Sequence, residues 1–487
     1  MRLQDAVPAG VAVPQDAREL EIRGITASSI NAGPGIIFAA LPGAKTDGVL
    51  FIPDAVARGA AAILLGADKQ VADAGGTVLL RVANPRRVLA QIAARLHPGQ
   101  PSTAVAVTGT SGKTSVADFT RQIFAALGRQ AASLGTIGLI KPHEAIYGSL
   151  TTPDPVTLHA TLDALAREGI THLAFEASSH GLDQHRLDGV KLTAAAFTNL
   201  GRDHMDYHPS VEDYLAAKLR LFNELLEPGQ TAVVNADGAF SDRVIAAAKA
   251  RGLRIITTGA KGETLRRVSL KNDGFAQAME VEAFGTTYDV RLPLVGAYQA
   301  ENALTAAGLA IAAGEEPGAV LASLEHLRGV PGRLEIVGEA NGGLAIVDYA
   351  HKPEALAAAL DACRPFATGK LISVFGCGGD RDKGKRPIMG QISVEKADVS
   401  IVTDDNPRTE VPAAIRAEIL AGAKGAIEIG DRAEAITAAV KMMGKGDVVL
   451  VAGKGHETGQ IIGTKVVPFS DHEALRAALD EVRADGG

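Results

Sequence analysis

The chain has 487 residues, with 46% hydrophobic and 22% charged side chains, a formal net charge of −7, no tryptophan and two cysteines. This describes a globular protein of roughly three domains, and it argues against a nucleic-acid surface, which needs clustered Lys and Arg. Cys363 and Cys377 are too few for a disulfide framework or a cysteine zinc site, and the absence of an apolar signal core or membrane-length apolar run predicts a cytoplasmic protein with no membrane span.

Before residue 97, three short apolar runs bounded by Gly, Pro or Asp predict strands: Ile36–Leu41, Ala61–Leu65 and Val78–Val82. His97-Pro98-Gly99-Gln100-Pro101-Ser102 then reads as a linker. Directly after it, Val105 to Ser115 spell a buried-type strand, a glycine loop, a lysine and hydroxyls. Backbone N–H groups of Gly109, Thr110, Ser111 and Gly112 can close on phosphate oxygens at the positive end of the next helix. Lys113 can neutralise phosphate charge, Thr114 can hold magnesium, and Ser115 adds a second hydroxyl. Only the second half of the general P-loop pattern fits, because Val107 stands where its first glycine belongs. Val116, Phe119, Ile123, Phe124 and Leu127 share one helical face. The stretch predicts a nucleoside triphosphate site.

Further on, Leu173–Ala177, Ala194–Thr198 and Thr231–Asn235 alternate with helical patterns, which predicts a mostly parallel sheet covered by helices. Glu176 ends the first of these runs, where a metal-holding carboxylate belongs beside a phosphate loop, although a satisfied buried acid fits equally well. His204 follows the second run and suits a metal or a phosphate, or simply a surface loop. Together the loops 109–115, 176–186 and 199–208 favour a magnesium–phosphate centre. Lys218, in a helical stretch, is by pattern alone an ordinary surface lysine.

A second break falls at Gly329-Val330-Pro331-Gly332. Beyond it, four apolar runs each end in polar and glycine clusters: Leu344–Val347, Leu371–Phe375, Val399–Val402 and Val448–Val451. Ligands of open parallel sheets bind beyond the carboxyl ends of the strands. Four such endings therefore predict one shared crevice.

The motifs in their order resemble the Mur ligases, ATP-dependent amide-forming enzymes of peptidoglycan precursor synthesis. The resemblance covers essentially the whole chain. It rests on Gly109–Ser115, Thr151-Thr152-Pro153, Glu176-Ala-Ser-Ser-His180, Asn199-Leu-Gly-Arg-Asp-His204 and Gly296–Asn302. It continues through Gly332-Arg-Leu-Glu335, Asp348-Tyr-Ala-His351, Gly376–Asp382, Asp405-Asn-Pro-Arg408 and Gly453-Lys-Gly-His-Glu457.

What the resemblance implies is an α/β fold of three domains. A small N-terminal α/β domain, residues 1–97, would hold a uridine nucleotide. A central ATPase, 98–332, would have a P-loop-type, mostly parallel sheet with helices on both faces. A mobile, Rossmann-like C-terminal α/β domain, 333–487, would bind an amino acid. Lys218 would carry a carbamate made from carbon dioxide. Thr114 and Glu176 would sit near one magnesium, and His204 and the modified Lys218 near a second. Lys113, His204 and Lys218 would be catalytic, and Asn302, Arg333 and Asp348 would join residues 109–115 at ATP. A monomer acting on small molecules is expected, with no nucleic-acid partner.

The resemblance further implies that UDP-N-acetylmuramoyl-L-alanyl-D-glutamate meets Ser29, Thr151, Thr152, Ser178, Gln184 and Arg186. Many relatives have Asp-Ser-Arg before a Pro-Gly, where this chain has Ser28-Ser29-Ile30 before Pro34-Gly35. Asn-Pro-Arg at 406–408 accompanies meso-diaminopimelate in the family, and a planar guanidinium suits that substrate's distal carboxylate. Arg408, Arg381 and Asn406 would share the carboxylates beside Asp405, and Gly453 and Glu457 would hold the distal ammonium. ATP would phosphorylate the peptide carboxylate, and the amine would displace phosphate. A folylpolyglutamate synthase would explain the ATP centre without the Asp-Asn-Pro-Arg loop, and a nucleotide-dependent switch would need only the phosphate loop.

Overall fold

The structure, a computed structural model, describes residues 1–43, 46–71, 74–146, 150–201, 203–205 and 207–485. It divides into two compact units, Met1–Thr257 with Gly308–Glu315, and Thr258–Ala307 with Glu316–Gly487. Among the described residues no helix is long and apolar enough to cross a membrane.

The first unit begins with a four-stranded, all-parallel sheet in chain order: Gly24–Thr26, Ile36–Ala39, Ala62–Gly66 and Val78–Val82. Its helix Pro85–Leu96 starts by rule, with Asn84 accepting from the Arg87 N–H and proline at the first position. Ile92 and Ala93 on its inner face are fully buried. A larger sheet follows, whose strands Thr231–Asn235, Ala194–Phe197, Thr103–Thr108, His172–Glu176 and Ala131–Gly135 lie side by side in that order, all parallel. Two antiparallel strands, Gly138–Lys141 and Glu144–Ile146, extend its edge. These strands are mostly apolar because helices cover them. Val116, Phe119, Ile123 and Phe124 of the helix Lys113–Ala126 are fully buried, each worth about 1.5–3 kcal/mol.

Register decides where the loops fall. Val107 pairs with Ala196 on one side and Glu176 on the other, so three strands end at the same level. The segments that follow them, from Gly109, Ala177 and Thr198, therefore emerge together.

In the second unit Leu265–Asp273, Ala276–Ala283 and Thr286–Leu292 form an antiparallel meander. A six-stranded sheet then runs in the order Glu335–Ala340, Gly343–Asp348, Val448–Ala452, Leu371–Phe375, Val399–Val402, Ile427–Glu428, parallel except for its first pair. The last long strand of the chain thus inserts between two earlier ones. That reversal of strand order opens a crevice at the carboxyl ends. The α/β class and the sheet architecture expected from sequence are those observed.

Candidate active site

The phosphate loop is held by its neighbour. Gly109 has φ 149° and Gly112 φ 86°, and a Cβ on Gly109 would collide with the Thr198 hydroxyl. Only glycine fits there. The Thr198 hydroxyl donates to the Ser111 carbonyl at 2.6 Å, and the Asn199 side-chain oxygen accepts from the Ser111 N–H at 3.0 Å. The Thr110 N–H donates to the Asn199 carbonyl at 2.9 Å, and its hydroxyl accepts from the Gly201 N–H, also at 2.9 Å. Lys113 opens the helix and donates to the Gly109 and Thr110 carbonyls, both at 2.9 Å. Thr114 follows half-buried and Ser115 buried.

Lys218 is buried at 1% exposure, against its expected place on the surface. It donates to the Gly109 carbonyl at 2.8 Å and lies 4.3 Å from the centre of the Tyr214 ring. Burial pushes its amine well below the usual lysine range, Lys113 adds to the shift, and Asp203 opposes it.

Glu176, also buried, accepts from the Thr136 N–H at 2.7 Å and from the Thr136 hydroxyl at 3.3 Å. Thr136 and Thr151 hydroxyls meet at 3.0 Å. His204 stands half-exposed, its ring edge-on to His180 and its Nε2 3.6 Å from the Asp203 carboxylate. Arg202 and Asp206 of the same loop lie outside the described residues. Among the described residues no three His, Cys, Asp or Glu side chains are grouped to hold a metal by themselves. A single carboxylate with hydroxyls beside a phosphate loop fits magnesium, which takes one or two carboxylates and completes its shell with water and phosphate oxygens.

A cavity of about 500 Å³ is lined by Thr26, Ser28, Asn31, Arg86, Gln184 and Arg186, among others. Gln184 accepts from Arg186 at 2.9 Å and donates to the Tyr207 hydroxyl at 3.1 Å. Arg186 also donates to the Thr152 carbonyl at 2.7 Å. Buried Thr152 donates to the Glu176 carbonyl at 2.9 Å and accepts from the Ser178 N–H at 3.0 Å, while Ser178 caps a short helix through Gly181. Ser29 is not in this lining: it is buried, and its hydroxyl is the main influence holding the Asp54 carboxyl below its usual range. Arg86 was missed. Its signal was a basic residue in the first turn of a helix, where the dipole disfavours cations.

In the second unit, the Asn302 amide donates to Gln299 at 3.0 Å, and Gln299 donates to the Arg333 carbonyl at 3.3 Å. The Arg333 guanidinium lies 5.2 Å from the Tyr349 ring centre. Asp348 accepts from the Leu334 and Ala350 N–H groups, both at 2.8 Å, yet burial keeps its carboxyl above the usual range. Gln299 thus links Asn302 to Arg333, and Asp348 holds the residue that follows Arg333.

The four strand endings of this unit line one cavity of about 810 Å³. Arg381, Asp405, Asn406, Arg408, Gly453 and Glu457 all face it. Arg408, at φ 50°, donates to the Gly379 carbonyl at 2.8 Å. Gly332, Gly455 and Tyr349 stack closely: a Cβ on Gly332 would fall 2.6 Å from the Gly455 Cα, and one on Gly455 2.8 Å from the Tyr349 Cβ. Sequence reasoning missed Lys454, a fully buried ammonium behind this wall that contacts Asn406 and Glu457. Flanked by glycines after a strand, it carries no sequence sign of burial.

A phosphate loop braced by a second loop, in a chain that also carries a strand-end cavity lined with paired charges, is the equipment of a nucleotide-driven ligase. Three family models match: the Mur ligase family catalytic domain over residues 21–97, the Mur ligase middle domain over 107–310, and the Mur ligase glutamate ligase domain over 332–455. The chain belongs to the Mur ligase family. It is 58% identical over 483 residues to the UDP-N-acetylmuramoyl-L-alanyl-D-glutamate–2,6-diaminopimelate ligase of Bradyrhizobium diazoefficiens, covering 98% of this chain and 99% of that one. It is 55% identical over 464 residues to the ligase of the same name from Agrobacterium fabrum, covering 95% and 94%. A solved structure of a ligase of that name aligns with a TM-score of 0.77 at 32% identity, covering 99% of both chains.

Proposed function

We propose that the chain joins meso-2,6-diaminopimelate to UDP-N-acetylmuramoyl-L-alanyl-D-glutamate at the expense of ATP, in peptidoglycan precursor synthesis. The observation that carries this reading is the 810 Å³ cavity, where two arginines and a glutamate face one space. Diaminopimelate ends in a carboxylate and an ammonium on one carbon. Arg408 and Arg381 suit the carboxylate, and Glu457 suits the ammonium. Lysine would bring only the ammonium and leave the guanidiniums without a carboxylate to bind.

A carboxylate resists attack by an amine, because oxide is a poor leaving group. Transfer of the γ-phosphoryl group gives an acyl phosphate, whose leaving group is inorganic phosphate. The amine adds to the carbonyl carbon, the tetrahedral intermediate collapses, and the C–O bond to phosphate breaks as the amide forms. Asn199 engages the Thr110 and Ser111 N–H groups and so shapes the loop, while the remaining loop N–H groups at Gly109 and Gly112 and the Lys113 ammonium hold and neutralise the phosphates, with Asn302, Arg333 and Asp348 also assigned to ATP. Magnesium, near Thr114, Glu176, His204 and a carbamate on Lys218, would supply further charge neutralisation when bound. Thr151, Thr152, Ser178, Gln184, Arg186 and Ser29 are assigned to the nucleotide-sugar dipeptide. Residues 1–97, 98–332 and 333–487 act as the three substrate-handling domains of a cytoplasmic monomer.

A phosphate-release assay tests the reading. Release is expected only with both the UDP-muramoyl dipeptide and diaminopimelate present. ATP turnover without either substrate, or equal turnover with lysine in place of diaminopimelate, overturns it.

A further inference from the structure

Lys454 has no exposed surface, and its ammonium lies 3.0 Å from the Asn406 side-chain oxygen and 3.0 Å from Glu457 Oε2. The Asn406 amide nitrogen also donates to Glu457 Oε2, at 3.0 Å. A second donor, the Ile461 N–H, reaches the same Asn406 oxygen at 2.9 Å. Two donors on one oxygen fix which way the amide points, so its nitrogen must face Glu457. Both of these contacts to the glutamate fall on Oε2, and Glu457 lines the amino-acid cavity with its side chain one-third exposed.

We propose that Lys454 is a positioning residue for the incoming amino acid: it locks the Asn406 amide and one oxygen of Glu457, leaving the other carboxylate oxygen aimed at a substrate ammonium. The inference rests on the diaminopimelate reading. An unlocked Glu457 could rotate and an unlocked Asn406 could flip, and each substrate encounter would then carry the cost of ordering them. Lys454 meets that cost during folding. The backbone supports the arrangement, since the Glu457 N–H donates to the Lys454 carbonyl at 3.0 Å.

Lys454→Met removes the donors at similar length. Glu457 can then turn to solvent, so no carboxylate is stranded in the core. The variant is expected to raise the KM for diaminopimelate by about tenfold, the worth of one to two hydrogen bonds. Its kcat and its KM values for ATP and the UDP-muramoyl dipeptide should stay within about threefold. Lys454→Gln keeps a donor without the charge and should recover most of the affinity. An unchanged KM for diaminopimelate in the Met variant overturns the proposal, as does a uniform shift of all four constants. A Gln variant as damaged as the Met variant assigns the effect to charge alone and overturns the positioning role. Should the Met variant fail to melt cooperatively, the wild-type enzyme decides. Its Lys454 ammonium resonance, assigned through Lys454→Gln, should move on adding diaminopimelate and not on adding ATP, and a resonance unmoved by saturating diaminopimelate overturns the proposal. A wild-type enzyme without diaminopimelate-dependent turnover brings down the proposed function itself, which separates the two failures.

Discussion

The ammonium groups of Lys113 and Lys218 converge on one oxygen, the carbonyl of Gly109, at 2.9 and 2.8 Å. Two cations on one acceptor repel, and the buried one yields its proton most readily. A neutral amine is the form that adds to carbon dioxide. On the proposed reading its lone pair would bond to that carbon, a proton would pass to solvent, and a carbamate anion would stand beside Lys113 where an ammonium is repelled.

Lys218→Ala should therefore cut turnover by about 10- to 100-fold, the scale for losing a group that positions a metal. Bicarbonate or a short carboxylic acid should restore part of it by filling the vacated space with an anion. Initial rates with and without these additives check this, and full activity in the untreated variant removes the carbamate role.

Glu410 ties together the two segments, 376–382 and 405–408, that line the 810 Å³ cavity. It accepts from Arg386 at 2.9 and 3.0 Å and from the Asp380 N–H at 2.6 Å. Those contacts, Arg386 first, hold its carboxyl down to about 2. The folded value lies below the unfolded value of about 4.3, so the stabilisation is complete above the unfolded value and is lost as pH falls from about 4 to 2. Glu410→Gln should lower Tm at pH 7, and the gap to wild type should close on acidification. Thermal melts across that range test the sign.

Arg408→Ala should raise the KM for diaminopimelate by about 10- to 100-fold, as expected for a charge-assisted hydrogen bond, and leave the KM for ATP nearly unchanged. Competition between diaminopimelate and lysine in one assay should show reduced discrimination. Equal effects on both constants would count against the guanidinium's assignment.

Gly378 leaves room for that guanidinium. A Cβ there would lie 2.7 Å from Arg408 Nη1, the far end of a flexible side chain. Gly378→Ala should thus cost little in Tm yet displace the guanidinium and raise the KM for diaminopimelate. A variant with lowered Tm and unaltered KM would contradict the placement.

Thr231–Asn235, Leu371–Phe375 and Val399–Val402 were legible to the residue, because strands buried on both faces are uniformly apolar and end at polar turns. The meander from Leu265 to Leu292 was not. Its first strand, Leu-Arg-Arg-Val-Ser-Leu-Lys-Asn-Asp, is largely exposed and lacks an apolar face. Gly24–Thr26 is too short to show a period. Arg408 and Glu457 could be placed at the shared crevice, because both follow apolar strands that end at it. The burial of Lys454 could not be read this way, since it depends on Asn406, 48 residues away in the chain. Lys218 resisted pattern reading for the same reason, with its partner 109 residues back.

The sheet of the second unit separates rigidity from choice. Its strands Val448–Ala452 and Leu371–Phe375 are buried throughout, while the charged groups that line the cavity sit on the connections leaving these strands and Val399–Val402. An exchange of residues 376–382 together with 403–410 would amount to swapping a recognition cassette on an unchanged chassis. The two must travel as a pair, because Arg408 is anchored on the Gly379 carbonyl and Asp380 on Glu410. A foreign loop with a side chain at position 379 would collide with the Pro407 carbonyl next to Arg408.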